Sequence, residues 1–297
     1  MLIILEGPNG VGKTTLAKQL VKQYNLKYIK ESKPNGGAQY YLEKALEYDD
    51  AVVDRFHLGE YVYPMLKKDG RDALLLWQQH LIERILQIKG AILLYCNTSF
   101  DFKKNIFETR GEDYVNVNEI EKEENYFNIC FERSILQKYK IDFIKDNFLL
   151  DLENVDYNKY KKYESIGSIN NSIMLIGEKY GGNTKFSYGK EMNKTFTNLH
   201  NSSRFLHEAL SLMNYNNFYL TNAYKTLNED KDLELLKEEI NLINPYKIIA
   251  LGNKTEKLIK KLNIKYYKIP HPQYYFRFHH DKQLQYKQLL EEIIYEQ

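Results

Sequence analysis

The segment Gly7–Thr14, with the sequence GPNGVGKT, constrains the fold of this chain more than any other feature. It fits the pattern G-x-x-x-x-G-K-[ST] at every fixed position. An apolar run, Leu2–Leu5, precedes the segment, and the stretch Thr14–Tyr24 follows with the spacing of a helix. Backbone N–H groups of such a loop surround phosphate oxygens, and the following helix adds the positive end of its dipole. The sequence therefore predicts a strand, a phosphate-binding loop and a helix.

Two side chains of this loop have roles that follow from their chemistry. Lys13 brings a positive charge to the β- and γ-phosphates, and the hydroxyl of Thr14 is a ligand for Mg²⁺. The loop therefore predicts ATP and Mg²⁺ as cofactors. The residues expected to hold the cofactor are Gly7, Asn9, Gly10, Gly12, Lys13, Thr14 and Thr15.

Short apolar runs alternate with helix-like stretches in two successive sets. The first set includes a charged helix over Glu119–Lys138 and ends with a strand at 148–152, and the second opens with a strand at 173–176. The residues between them, 161–171, are rich in Ser, Asn and Gly and are interpreted as a linker. We predict an α/β chain with a parallel sheet covered by helices on both faces in residues 1–160, and a second, smaller α/β domain in residues 172–297.

Composition excludes several classes of protein. Two cysteines, Cys96 and Cys130, cannot form a four-cysteine metal or iron–sulfur site. A net charge of +2 gives no global basic field for nucleic acid, although a local basic surface stays open. No apolar run approaches the roughly 20 residues of a membrane helix, and the first residues lead directly into the loop. We therefore expect a cytoplasmic protein without a signal peptide or a membrane partner; a homodimer is left open.

The tripeptide Asp54-Arg55-Phe56 stands at the end of the second predicted strand. The carboxyl ends of strands are where parallel α/β sheets bind ligands. Asp54 is therefore a candidate for positioning the acceptor or a Mg²⁺-bound water, and Arg55 for clamping a phosphate in bidentate fashion. The alternative is a structural ion pair at the strand terminus.

These motifs together resemble the thymidylate kinases and their deoxynucleoside kinase relatives over roughly residues 1–160. The segment Lys33–Gly37 is similar to the Arg-Glu-Pro-Gly-Gly stretch of those enzymes, and Thr109–Tyr114 is similar to their lid. The resemblance implies phosphoryl transfer from ATP to a pyrimidine deoxynucleotide such as dTMP. It also implies that Arg110 covers the transferring phosphate and stabilises its charge.

Two departures from the thymidylate kinase pattern leave the acceptor open. Asn9 stands where those enzymes usually have Asp for the acceptor sugar, and the arginine expected near Lys33 is missing. The acceptor is therefore dTMP, another deoxynucleoside monophosphate, a nucleoside, or a hydroxymethylated base in DNA. Trp77 and the following Gln78-Gln79-His80 lie in a predicted helix near the acceptor, and for Trp77 packing is the favoured interpretation.

Three strand-end signals recur in order in the second half: Gly177-Glu178, Leu220-Thr221-Asn222 and His271-Pro272. Together they resemble the uracil-DNA glycosylase superfamily over roughly residues 172–297. The resemblance implies that Phe186 stacks on a flipped base and that Asn222 binds its Watson–Crick edge. It further implies that His271 stabilises the departing base and that Glu178 orients water.

Departures from this second pattern concern catalysis more than fold. Lys179-Tyr180 replaces Ala-Pro, Gln273 replaces Ser, and the cysteines of the iron–sulfur-type members are absent. The domain is therefore expected either to excise uracil-like bases or only to bind them. The aromatic run 274–280, with Arg277, suits stacking and phosphate contact and makes DNA a candidate partner. Two rivals to a free-nucleotide kinase are a kinase acting on a modified base in DNA and a nucleotide-switched, non-catalytic DNA-binding protein.

Overall fold

The first part of the chain contains a parallel sheet, as the alternating sequence pattern predicts, and five strands form it among the described residues. They are β1 (Leu2–Glu6), β2 (Lys27–Lys30), β3 (Ala51–Asp54), β4 (Ile92–Cys96) and β5 (Gln137–Ile141), in the order β2-β3-β1-β4-β5. All neighbouring strands pair in parallel. The central strands β1, β3 and β4 are buried along their whole length, which is why they read as continuous apolar runs.

The computed structural model describes residues 1–31, 37–68, 70–110, 115–142, 155–179, 196–197, 199–226, 228–278 and 282–296. The chain divides into two compact units. The first contains residues 1–83 and 89–156, and the second contains residues 84–88 and 157–297. The strand predicted at 148–152 lies outside the described residues.

Helices connect the parallel strands of the first unit. They are α1 (Lys13–Tyr24), α2 (Gly37–Glu47), α3 (Gly59–Lys67), α4 (Leu76–Ile88), α5 (Phe100–Arg110) and α6 (Ile120–Arg133), with a short 3₁₀ turn at Val117–Glu119. The last five residues of α4 belong to the second unit. Apolar residues of α1 such as Leu16 and Leu20 pack on Ile3 and Leu5 of β1, so the core fixes the loop that joins the two elements.

The charged helix predicted over Glu119–Lys138 is shorter in the structure. It ends at Arg133, and the residues Gln137–Ile141 form β5 instead. This strand lies at the edge of the sheet and alternates Lys with Tyr, so it lacks the apolar run of a central strand. Its sequence therefore could not be distinguished from the end of a charged helix.

The second unit is built on a sheet of its own. The strands are β6 (Ile166–Gly167), β7 (Ile173–Lys179), β8 (Phe218–Tyr224), β9 (Lys247–Leu251) and β10 (Tyr267–Ile269), in the order β10-β9-β7-β8-β6. Only β6 is antiparallel to its neighbour, β8. The helices are α7 (Asn158–Lys161), α8 (Asn201–Ser211), α9 (Glu229–Ile243), α10 (Asn253–Ile259), α11 (Pro272–Phe278) and α12 (Gln283–Tyr295), with a 3₁₀ turn at Lys260–Leu262.

The expected linker at 161–171 is part of this second unit. It contains the buried residues Tyr163 and Ile166, and β6 pairs with β8. The unit also includes residues 84–88, and Ile88 packs in its hydrophobic core. A stretch rich in Ser, Asn and Gly suits the turns around a two-residue strand as well as it suits a linker.

Among the described residues, none of the helices combines the length and the apolar character that crossing a membrane requires.

Candidate functional site

The predicted phosphate-binding loop joins the carboxyl end of β1 to the start of α1. Gly7 has a φ of 135°, and a Cβ atom there would lie 2.0 Å from the carbonyl oxygen of Cys96. Gly12, with a φ of 85°, is the N-cap residue of α1. These backbone conformations are open to glycine alone at little cost, so the glycines of the motif are required by the turn itself. Thr15 follows in the first turn of α1, where its N–H donates to the carbonyl of Gly12.

Lys13 lies inside the loop. Its side chain is 5% exposed, and its Nζ donates to the carbonyl of Gly7 at 2.6 Å and to that of Pro8. Burial, and after it the nearby positive charge of Arg55, lowers the pKa of Lys13 to about 8. The ammonium group is therefore held where the loop would receive phosphate. Burial of this charge costs free energy, which the attraction of bound phosphate would offset.

Thr14 and Asp54 meet across the carboxyl ends of β1 and β3. Thr14 Oγ1 donates to Asp54 Oδ2 at 2.6 Å, and the Tyr28 hydroxyl donates to the same oxygen at 2.9 Å. Asp54 Oδ1 is buried and has no hydrogen-bond partner among the described residues. Hydroxyl and carboxylate oxygens are the ligands that Mg²⁺ prefers, so this pair fits the cation that the loop predicts. In the described part of the chain, no group of three or more His, Cys, Asp or Glu side chains is arranged to hold a metal ion.

Arg55 reaches the phosphate-binding loop. Its Nη2 donates to Asn9 Oδ1 at 2.6 Å. Asn9 in turn donates from its backbone N and from Nδ2 to the carboxylate of Glu123, at 3.2 and 3.0 Å. The Tyr63 hydroxyl also donates to Glu123, at 3.1 Å, and burial raises the pKa of Glu123. The structure thus joins two predicted residues, Asn9 and Arg55, directly, and anchors Asn9 to a carboxylate, Glu123, that the sequence did not single out.

Glu6, the last residue of β1, supports the segment that follows Asp54. Its side chain is 1% exposed, and Oε1 accepts from the backbone N–H groups of Phe56 at 3.0 Å and Leu58 at 2.9 Å. Burial raises the pKa of Glu6. In sequence this residue reads only as the end of an apolar strand.

A group of carboxylates and tyrosines surrounds Phe56. Its ring makes an edge contact with Tyr41, with centroids 5.2 Å apart. Glu31, directly after β2, accepts hydrogen bonds from the hydroxyls of Tyr40, at 2.6 Å, and Tyr48. Neither Glu31 nor its partners was predicted. Their signal would have been an acidic residue at the end of a strand, but the short, exposed β2 was itself not recognised.

Three residues at the start of α4, Trp77, Gln79 and His80, are buried. Trp77 is buried, as the favoured interpretation had it. Gln79 donates to Glu83 and to the carbonyl of Cys130, and His80 bonds to the carbonyl of Arg133. Arg110 is the last residue of α5, and its side chain, like residues 33–36 and 111–114 of the two resemblance motifs, lies outside what the structure describes.

In the second unit the predicted residues lie toward the carboxyl ends of three strands of one sheet, β7, β8 and β10, of which β7 and β8 are adjacent. Gly177 of β7 is in register with Asn222 of β8, and His271 follows β10. A Cβ atom on Gly177 would lie 2.6 Å from Asn222 Oδ1 and 2.7 Å from the ring of Phe196. The small residue therefore allows an amide and an aromatic ring to approach the same strand end.

Phe196 is an aromatic candidate that the sequence prediction missed. Its carbonyl accepts from Ser203 Oγ at 2.7 Å and is 2.9 Å from His207 Nε2, so α8 fixes its backbone. Phe186 and residues 180–195 lie outside the described residues. Two phenylalanines, Phe186 and Phe196, follow Glu178 in sequence, and no local pattern distinguishes the one beside Asn222.

The imidazole of His271 is held in one tautomer. The backbone N–H of Gln273 donates to its Nδ1 at 3.1 Å, so the proton of the neutral ring is on Nε2. Burial lowers the pKa of His271. The charge of Glu178 raises this pKa to a smaller extent, and the charge of Lys254 lowers it a little further. Glu178 itself pairs with Lys254 Nζ at 2.7 Å. The structure thus places a neutral N–H donor near the carboxylate of Glu178.

Two parts of the chain match the models of two different protein families. Residues 164–294 match the family model of the uracil DNA glycosylase superfamily. Residues 3–52 match the model of the ATPase family associated with various cellular activities. The chain thus joins a P-loop unit to a segment that is similar to the uracil DNA glycosylase superfamily. None of the curated proteins matches the chain.

Solved structures similar to this chain include nucleotide-binding proteins and kinases. The YorR protein of Bacillus subtilis, in complex with phosphorylated GDP, is 25% identical, with coverage of 50% of this chain and 88% of YorR and a TM-score of 0.44. Deoxyadenosine kinase from M. mycoides with bound dCTP is 17% identical, with coverage of 50% and 92% and a TM-score of 0.37. The same enzyme with dATP gives 16% identity, coverage of 49% and 93%, and a TM-score of 0.36.

Proposed function

We propose that the first unit transfers the γ-phosphate of ATP to a hydroxyl group of a deoxynucleoside-like acceptor. The observation that carries the proposal is the meeting of Lys13, Thr14, Asp54 and Arg55 at the carboxyl ends of β1 and β3. Phosphoryl transfer needs positioning and charge stabilisation more than covalent chemistry, and these residues supply both.

The described residues divide the work of transfer between them. Lys13 and the N–H groups of the loop hold the β- and γ-phosphates, and Thr14 and Asp54 would hold Mg²⁺. When bound, the cation neutralises charge on the phosphates. Arg55 faces the loop beside Asn9, so its guanidinium stabilises charge on the group in transit. Arg110 is proposed to cover that group from the lid, as the resemblance implies.

Charge around the acceptor side favours a hydroxyl over a phosphate as the acceptor. Glu31 and Glu60 lie close enough to Tyr41 to raise its pKa, after burial as the main cause. Glu123 adds a third carboxylate next to Tyr63. A dianionic monophosphate such as dTMP would be repelled by these groups, whereas hydroxyls bind to them as donors. Glu31 is the candidate to receive the proton of the attacking hydroxyl.

We further propose that the second unit binds a uracil-like base that has left the stack of a nucleic acid. Phe196 takes the stacking role that the sequence gave to Phe186, and Asn222 binds the Watson–Crick edge. The Nε2–H of His271 donates to the oxygen of the base that gains charge if the glycosidic bond breaks, and Glu178 orients water. Residues 157–297 carry 21 Lys and Arg against 15 Asp and Glu, which suits a polyanionic partner.

Exposed aromatic residues extend this second site. Tyr274 and Phe278 of α11 are 51% and 67% exposed and lie with their ring centroids 5.3 Å apart. Arg277 stands between them in sequence. Stacking platforms of this kind bind single strands with little sequence preference.

A screen of acceptors tests the first proposal. The full chain is incubated with ATP and, separately, deoxynucleosides, deoxynucleoside monophosphates, and DNA with or without hydroxymethylated bases. We expect transfer to a free deoxynucleoside. Transfer only to dTMP would overturn the hydroxyl acceptor, a need for modified DNA would indicate a DNA kinase, and slow ATP loss with no acceptor would indicate a regulator.

Lys13→Ala should lower transfer roughly a hundredfold or more. Lys18→Ala, on the exposed side of the same helix, is the matched control.

Single-stranded DNA with one uracil tests the second proposal. The full chain is used because residues 84–88 belong to the second unit. Asn222→Ala should weaken binding about tenfold or more, whereas Asn214→Ala, at an exposed site, should not. Release of uracil that is lost in both Glu178→Gln and His271→Ala would establish excision; binding without release would establish a reader. Equal affinity for DNA with and without uracil would refute both versions.

A further inference from the structure

Arg55 has a backbone conformation that an arginine adopts only under constraint. Its φ is 70°, in the left-handed region, where a side chain with a Cβ atom costs about 1–2 kcal/mol. Asn25, Asn244 and Asn263 share this region, but they end helices, where Asn is common. Arg55 instead follows a strand, so other contacts must hold it.

Glu6 makes the contacts that surround this conformation. One carboxylate oxygen accepts from the N–H groups of Phe56 and Leu58, and the preceding β1 residue, Leu5, accepts from the N–H of Arg55 at 2.9 Å. Hydrogen bonds to an ionised carboxylate are roughly twice as strong as neutral ones. The end of β1 therefore fixes three N–H groups of residues 55–58.

The side chain of Arg55 is fixed at its other end. Asn9 Nδ2 donates to Glu123, which leaves Asn9 Oδ1 as the acceptor for the guanidinium. Backbone and side chain are thus held independently, one by Glu6 and one by Asn9. Strained residues persist at sites where the surrounding contacts over-determine them.

We propose that Glu6 is a positioning residue that keeps residues 55–58 in the strained turn from which Arg55 reaches the phosphate-binding loop. Its effect on phosphoryl transfer rests on the proposed kinase function, whereas its effect on the turn does not. Glu6 acts through Arg55 and is assigned no contact with the reacting groups.

A cycle of stability measurements tests the conformational claim. In Arg55→Ala the backbone strain at position 55 stays, and in Arg55→Gly it is relieved. The unfolding equilibrium constant of Arg55→Gly should therefore be about fivefold smaller than that of Arg55→Ala. Glu6→Met keeps the side-chain size but removes the oxygen that accepts from residues 56 and 58. When Glu6→Met is present, the greater stability of Arg55→Gly over Arg55→Ala should therefore nearly vanish. Trp77, the single tryptophan, lies in the first unit and reports its unfolding in urea.

A second left-handed residue supplies the control for this cycle. Lys68, at the end of α3, has a φ of 51° and no contact with Glu6. The advantage of Lys68→Gly over Lys68→Ala should be the same with Glu6 and with Met at position 6. If Glu6→Met does not fold, Glu6→Gln replaces it, and its weaker neutral bonds should reduce the advantage at Arg55 by about half. An unchanged advantage at Arg55 would overturn the proposal.

Kinetics test the link from Glu6 to transfer. With the acceptor found in the screen, Glu6→Met should lower kcat about tenfold in the wild-type background and less than about twofold in Arg55→Ala. Equal losses in both backgrounds would show that Glu6 does not act through Arg55. If Arg55→Ala itself leaves transfer unchanged, the kinase role of Arg55 fails, and the stability cycle still decides whether Glu6 holds the turn.

Discussion

Replacing Lys13 by methionine should make the stability of the first unit depend on pH in a different way. The pKa of Lys13 is lowered from 10.5 to about 8 by burial and by Arg55. The folded state therefore releases this proton at a lower pH than the unfolded state does. Between about pH 8 and 10.5 the unfolded state binds more protons, so the free energy of unfolding of the wild type rises with pH in this window.

The size of the effect follows from the shift in pKa. Each unit corresponds to about 1.4 kcal/mol, so the charged lysine costs about 3 kcal/mol at neutral pH relative to its neutral form. From pH 7 to pH 9.5 the wild type should gain about 2 kcal/mol relative to Lys13→Met. Contacts that the mutation removes equally at both pH values cancel in this difference.

Urea unfolding followed by the fluorescence of Trp77 measures this difference. Trp77 is buried in the first unit and is the single tryptophan of the chain. Lys18→Met, at an exposed position of α1, is the control and should show no pH-dependent difference from the wild type. If wild type and Lys13→Met change in parallel between pH 7 and pH 9.5, the loop does not hold Lys13 as a costly buried charge, and the reasoning is refuted.

Three further predictions concern single contacts. Asp54→Asn should weaken the Mg²⁺ dependence of transfer and lower kcat roughly a hundredfold. The affinity for ATP, measured by calorimetry, should change only a few-fold. If the variant keeps the kcat of the wild type, Asp54 does not belong to the metal site. Gly177→Ala places a Cβ atom 2.6 Å from Asn222 Oδ1, so uracil-DNA affinity should fall at least about tenfold, and unchanged affinity would contradict the pocket. Lys225→Met removes the ammonium group that lies 3.0 Å from the buried carboxylate of Glu239. Thermal unfolding should show that the second unit is destabilised by about 3 kcal/mol or more. A loss of stability below about 1 kcal/mol would show that Glu239 is protonated or reaches water.

The fold class could be predicted because its signals are local. Apolar runs such as Leu2–Leu5 are contiguous, and a strand buried on both faces reads as such a run. The strand β5 was not predicted, for the same reason. An edge strand with lysines has no such run, and Ile88 joins the core of a unit that otherwise begins at Tyr157.

The phosphate-binding loop was determined by the sequence alone, because its glycines, Lys13 and Thr14 act within one short segment whose backbone they dictate. Only the tertiary structure decided what surrounds it. Glu123 reaches Asn9 from 114 residues away, and Phe196, 26 residues before Asn222 in sequence, meets it at a strand end. A carboxylate or an aromatic ring carries no mark of such contacts in its own neighbourhood, because the packing of separate helices and strands creates them. The loop could therefore be found by pattern, whereas the carboxylate beside Asn9 and the ring beside Asn222 became identifiable only once the chain was folded.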